Sequence, residues 1–301
     1  MRRWYGLAAV AAVMAVTVSG CGSLTGHEGD LTANWPPLRQ AEQFAPKAGD
    51  CHVIANQSSY LTSYEPVDCG QPHLVETFHL GTFTGSLADR PAPPPVGSAA
   101  IRPAFDECDA RVTAFVGGDW RGARLTIQVV PPSPNGWTGG ARWFRCDVFE
   151  PNDTADGGNY RIRPYDQPIE RTSSLRDVLK GASPLVYGCL NEDEWGNFQQ
   201  ITCTKAHEFE YVGSWKAPDG RYADADRDED AIHAKCRTLV ARYANVPVDG
   251  MLRYRTGTTY RLPSEEAWTR GDRGIRCFHW SGGKKLTRSI KGGGTKLLPV
   301  N

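Results

Sequence analysis

The chain has 301 residues and a formal net charge of zero, with 34 basic and 34 acidic side chains. No global field therefore draws it to nucleic acid or an anionic membrane. Hydrophobic residues at 40% and charged residues at 23% exclude a disordered chain, and 32 Gly with 21 Pro exclude an all-helical bundle.

Met1-Arg2-Arg3 is a short positive start, followed by an apolar run from Leu7 to Val18. That run is too short to span a bilayer and suits a signal peptide. It ends in Val18-Ser19-Gly20-Cys21, which resembles the lipobox of bacterial lipoproteins. The resemblance implies cleavage after residue 20 and acylation of Cys21, so that the lipid bilayer is a partner through this residue. Two acyl chains hold a protein on a membrane where one is marginal. Residues 21–46, rich in Gly, Ser, Thr and Pro, read as a lipidated tether. The expected location is the outer face of the cytoplasmic membrane.

The remaining eight cysteines fall into two groups of four: Cys51, Cys69, Cys108 and Cys146, then Cys189, Cys203, Cys236 and Cys277. Their surroundings recur. Pro132-Ser133 through Trp137, Arg142 and Cys146 align without a gap onto Pro263-Ser264 through Trp268, Arg273 and Cys277. Cys69-x3-His73-x2-Glu76 matches Cys203-x3-His207-x2-Glu210, and Thr172-Ser173-Ser174-Leu175 resembles Thr287-Arg288-Ser289-Ile290. The ordered set reads as an internal duplication. The expected organisation is a first domain at 47–150, a linker at 151–183, a second domain at 184–281 and a basic tail at 282–301.

In the first unit Ile101, Phe105, Cys108, Val112 and Phe115 fall on one helical stripe, with Pro103 in the first turn and Gly117 as the stop. Ile232, Cys236, Leu239 and Tyr243 make the matching stripe. Strands are expected over 73–83, around Leu125, Ile127 and Val129, over 142–149, and again over 207–215 and 274–280. Ser133 and Ser264 read as caps of one-turn helices carrying the Trp. The fold class is α+β: two tandem, similar, disulfide-stapled domains, each a mostly antiparallel sheet with one main helix.

An exported chain with an even set of cysteines is expected to be disulfide-bonded. Eight cysteines allow 105 pairings, and identical pairing within each unit leaves three. First with second and third with fourth is the favoured choice: it joins neighbouring strands over a short loop and pins the helix to the last strand. No Cys-x-x-Cys favours thiol redox chemistry.

The repeated Cys-x3-His-x2-Glu invites a zinc site. Against it, the cysteines lack free thiolates, and His and Glu three apart on a strand point to opposite faces. The plainer account has the histidine closing a turn and Glu76 pairing with Arg142 or Arg145; a shared ligand surface is the third option. The acidic run 224–230 lacks the Gly and final Glu of a calcium loop and suits a helix N-terminus. Trp137 with Arg142, and Trp268 with Arg273, make either a stacking platform or core covered by arginine. The tail carries Lys284, Lys285, Arg288, Lys291 and Lys296 with no acid, which suits a solvated end or contact with an anionic wall polymer or lipid. No catalytic, phosphate-loop or dinucleotide motif is present, so no cofactor, metal ligand or catalytic residue is expected.

Taken together, the lipobox, Gly49-Asp50-Cys51, Cys69 through Glu76, Cys108, and Trp137 through Cys146 resemble the septum formation family of actinobacterial envelope proteins. The second copy departs at Tyr187-Gly188-Cys189, which lacks the Asp, and at Ala206, which replaces Pro72. The resemblance implies two copies of the family's domain and a role near the division septum, with no catalytic residue to carry over. The expected function is a non-enzymatic envelope lipoprotein that binds an envelope protein or wall component and no nucleic acid. The alternatives are a wall hydrolase or modifying enzyme using carboxylates that the sequence does not place, and a sensor domain reporting to a membrane kinase.

Overall fold

The computed structural model describes residues 44–55, 59, 64–151, 168–194 and 198–300. The expected signal peptide, Cys21, most of the expected tether and the middle of the expected linker lie outside the described residues. From Gln43 onward the chain forms one compact unit.

Two five-stranded sheets carry the structure. In the first half these are β1 (Cys51–His52), β2 (Pro66–Val67), β3 (Val75–Thr82), β4 (Thr126–Val130) and β5 (Trp143–Phe149), in the order β2-β1-β3-β5-β4. In the second half β6 (Cys189–Glu192), β7 (Phe198–Ile201), β8 (Phe209–Lys216), β9 (Gly257–Arg261) and β10 (Gly274–Trp280) follow the same order, β7-β6-β8-β10-β9. Every strand pairing is antiparallel. A bulge interrupts β3 between Thr77 and His79, and β8 between Tyr211 and Gly213. The register therefore matches through the irregularity as well as through the regular ladder.

One long helix covers a face of each sheet: α1 (Arg102–Val116) and α4 (Glu229–Ala244). The α1 stripe is buried as its spacing predicts, and Gly117 ends the helix at φ 82°. In α4 the stripe is rotated: Ile232, Cys236 and Val240 are buried, whereas Leu239 and Tyr243 are only partly so. Asn245, at φ 60°, serves where the first half uses Gly117. The acidic run 224–230 divides between the short α3 (Tyr222–Arg227) and the first turn of α4, where Glu229 and Asp230 face the helix dipole. Ser133 caps α2 (Pro134–Thr138) and Ser264 caps α5 (Glu265–Arg270), each accepting a main-chain N–H at 3.1 Å.

Four disulfides staple the halves: Cys51–Cys69, Cys108–Cys146, Cys189–Cys203 and Cys236–Cys277. The first of each pair ties the opening strand to a loop. The second pins the long helix to the last strand.

The expected boundaries need correction at both ends. Leu175, placed in the linker, and Leu185, placed at the start of the second domain, are buried in the core of the first half. Ile290 and Leu298, placed in a solvated tail, are buried in the core of the second, and a short α6 (Gly294–Leu297) precedes Leu298. Each core is finished by apolar side chains that arrive after its last strand. No helix among the described residues is long and apolar enough to cross a membrane.

Candidate functional site

The repeated His–Glu motif sits at the start of β3 and of β8. In the first half His73 precedes the strand, and its main chain exchanges two hydrogen bonds with Arg171, at 2.9 and 2.8 Å. In the second, His207 does the same with Leu286, at the same distances. His73 Nδ1 lies 2.7 Å from the Gln71 carbonyl, and His207 Nδ1 lies 2.8 Å from the Lys205 carbonyl. A carbonyl only accepts, so Nδ1 carries the hydrogen in both. Each Nε2 is buried without a protein partner.

The glutamates hold the returning chain. Glu76 accepts the Leu175 N–H at 2.7 Å and the Ser174 hydroxyl at 2.7 Å. Glu210 accepts the Ile290 N–H at 2.8 Å, the Tyr243 hydroxyl at 2.7 Å and the Ser289 hydroxyl. The expected pairing of Glu76 with Arg142 or Arg145 is not what forms. Arg142 lies over Trp137, and Arg145 pairs with Asp147 at 2.8 Å. The motif is a latch: histidine main chain and glutamate carboxylate together fix the segment that closes each core.

The expectation that His and Glu point to opposite faces also fails in the second half. There His207, Glu210 and Cys189 bring ligand-type atoms within 4.8 Å of one another. In the first half the corresponding group is Cys51, Cys69 and Glu76. The cysteines of both groups are disulfide-bonded and offer no thiolate.

Trp137 and Trp268 are core residues, 1% and 3% exposed. Their indole N–H groups donate to the carbonyls of Arg90 and Gly220, at 2.7 and 2.8 Å. The guanidinium carbon of Arg142 lies 4.1 Å from the Trp137 ring centroid, and that of Arg273 lies 4.3 Å from the Trp268 centroid. Arg142 and Arg273 also donate to the main-chain oxygens of these tryptophans. Each arginine thus roofs an indole and ties down its short helix. Rings this buried offer no stacking platform to a ligand.

Sequence reasoning missed a buried polar network on the other side of the first sheet. His52 Nε2 lies 3.0 Å from Thr77 Oγ1, and that hydroxyl donates to Asp147 at 2.8 Å. Burial, reinforced by Arg145, lowers the His52 pKa to about 4. At the matching positions the second sheet carries Leu190, Tyr211 and Phe278, which build an aromatic cluster with Phe198 and Phe209. No repeated residue marks the network, so comparing the two halves of the sequence could not reveal it. Arg121 was missed as well. It bridges Asp109 at 2.7 Å and Asp272 at 2.9 Å, and so ties the first half to the second.

The sequence model of the septum formation family matches residues 48–277. No curated relative and no solved structure matches the chain. The match takes in all four disulfides and both His–Glu pairs, and the chain belongs to the septum formation family.

Proposed function

We propose that this protein is a lipid-anchored, non-enzymatic binding or scaffold module on the outer face of the cytoplasmic membrane, acting in septum formation. The observation that carries the reading is the family match over residues 48–277, since the family's name suggests a role in cell division. The anchor rests on the Val18-Ser19-Gly20-Cys21 sequence. Four disulfides suit an oxidising compartment outside the cytoplasm. The tandem reading, two copies of one ancestral unit, is supported by the shared strand order, the matching bulges and the paired latches. A non-enzymatic role fits the use of the repeated polar residues as latches and indole covers.

The test is imaging of a tagged chain in dividing cells beside Cys21→Ala. Enrichment at septa that is lost in the variant supports an anchored division role. Uniform membrane signal removes the septal part, and wild-type membrane retention in the variant removes the lipid anchor.

A further inference from the structure

The second half departs from the first at one matching place, and the departure opens a cleft. In the first sheet Glu150, four residues past Cys146, is buried between two arginines. It lies 2.9 Å from Arg124 and 2.5 Å from Arg171. That corner is sealed: Ala123 and Phe149 are 0% and 2% exposed, and the Ala123 main chain pairs with Val186. The second sheet has the same register, with Tyr260 opposite Cys277 as Val129 is opposite Cys146. Counted back from this register Arg255 corresponds to Arg124, and counted on from the cysteines Ser281 corresponds to Glu150. The carboxylate is gone and the arginine remains.

The apolar seal is gone too. Trp280 replaces Phe149 and Tyr254 replaces Ala123, and both are half-exposed, at 42% and 45%. They line a cleft of about 500 Å³, together with Arg253, Arg255, Lys284 and Lys296. Among the described residues no carboxylate lines it, and none of these four cations has an acidic partner. Arg255 donates to the Leu298 carbonyl at 3.1 Å, and its Nε is buried without a partner. Two of the four cations come from the C-terminal segment, which the latch of Glu210 on Ile290 holds in place.

We propose that this cleft binds an anionic carbohydrate: its phosphate or carboxylate takes the place that Glu150 holds in the first half, and its sugar ring packs on Trp280 or Tyr254. Uncompensated cations gathered at a fixed spot favour an anion, and a half-exposed indole beside them supplies an apolar face for a sugar ring. The volume suits one or two sugar units. The inference is independent of septal placement: diffuse localisation leaves the cleft chemistry intact, and absence of binding leaves the anchor and septal role untouched.

The experiment is calorimetric titration of the full chain with glucose 1-phosphate, glucose, inorganic phosphate, adenosine monophosphate and a phosphodiester-linked disaccharide. The expected result is binding of the sugar phosphates that weakens with salt, with glucose silent and phosphate alone at least roughly tenfold weaker. Ser281→Glu rebuilds the carboxylate of the first half and should weaken binding by roughly tenfold or more while keeping the melting temperature. Should Ser281→Glu fail to fold, Lys284→Glu, on the exposed rim, carries the same expectation. Trp280→Ala should bring sugar phosphates down to the level of phosphate alone. Preference for the diester identifies a wall polymer as the source of the ligand, and preference for the monoester identifies a free sugar phosphate. Binding that is absent, or indifferent to both charge variants, overturns the proposal. Tighter binding of adenosine monophosphate, or indifference to Trp280→Ala, overturns its carbohydrate part.

Discussion

Glu76 and Glu210 each accept a main-chain N–H and a serine hydroxyl from a segment about 80 to 100 residues away in sequence. Removing such an acceptor leaves a buried N–H unpaired, which costs more than the bond itself contributed. Glu210→Ala should therefore destabilise the protein by about 2–4 kcal/mol, read as a lower urea midpoint. It should also expose residues 286–298 to proteolysis, and an unchanged cleavage pattern would count against the latch. His52 and His279 add a pH dependence. Burial holds each near a pKa of about 4, with Arg145 assisting at His52 and His207 assisting at His279. An unfolded histidine titrates near 6.5, so between about 6.5 and 4 the unfolded chain binds more protons than the folded one. Stability should fall as pH drops through that window and level off below it. His279→Gln should flatten this slope in thermal melts, and a slope equal to wild type would show that His279 does not titrate as described. The sequence displayed the His–Glu pair plainly, because the pair is written twice. Its role was not legible, because the groups it binds are remote and pairing with a nearby arginine was the simpler chemistry.

The long helices and central strands are elements whose periodicity alone nearly locates them. Ile101, at the N-cap of α1, and four apolar residues of the helix lie on one stripe, and all five are buried. What the pattern omits are the segments that close each core. Leu175 and Ile290 are single apolar residues between polar or charged neighbours, and Leu185 and Leu298 fall in short apolar runs beside a proline. They have no period, and only the finished sheet gives them a surface to cover. The helix-to-strand disulfides are the strongest local restraint. Cys108–Cys146 closes a separation of 38 residues and Cys51–Cys69 one of 18. Loop-closure entropy assigns about 4 and 3 kcal/mol to them. The double variant Cys108→Ala, Cys146→Ala should therefore lose more stability than Cys51→Ala, Cys69→Ala. It also leaves a void between helix and sheet, which widens the gap. Equal urea midpoints for the two double variants would refute this ordering.

At the scale of the whole molecule, the question is whether the halves unfold together. Their contact is largely polar. Arg102 reaches Asp219, Ser214 donates to Asp119 at 3.1 Å, and Arg276 donates to the Arg121 carbonyl at 2.8 Å. The exposed Arg102–Asp219 pair contributes little. Arg121 differs, because its guanidinium lies largely buried between Asp109 and Asp272. Burial opposes the charge of Arg121, but Asp272 and Asp109 outweigh it and raise its pKa. Burial likewise opposes the charge of Asp272, and Arg121 with the Gly274 amide holds its carboxyl below the ordinary value. Replacing Arg121 strands two partly buried carboxylates against each other, a loss of about 3 kcal/mol. The two cores are otherwise self-contained, each with its own helix, sheet and disulfides. Arg121→Ala should therefore split one calorimetric transition into two, with the halves melting at separate temperatures. Arg121→Ala with Asp109→Ala and Asp272→Ala removes the stranded charges and should regain part of the lost stability without restoring the coupling. A single transition at the wild-type temperature in Arg121→Ala would mean that the chain between Arg124 and Tyr187 joins the halves, through the Arg124 N–H to Leu185 and the Tyr187 N–H to Gly122.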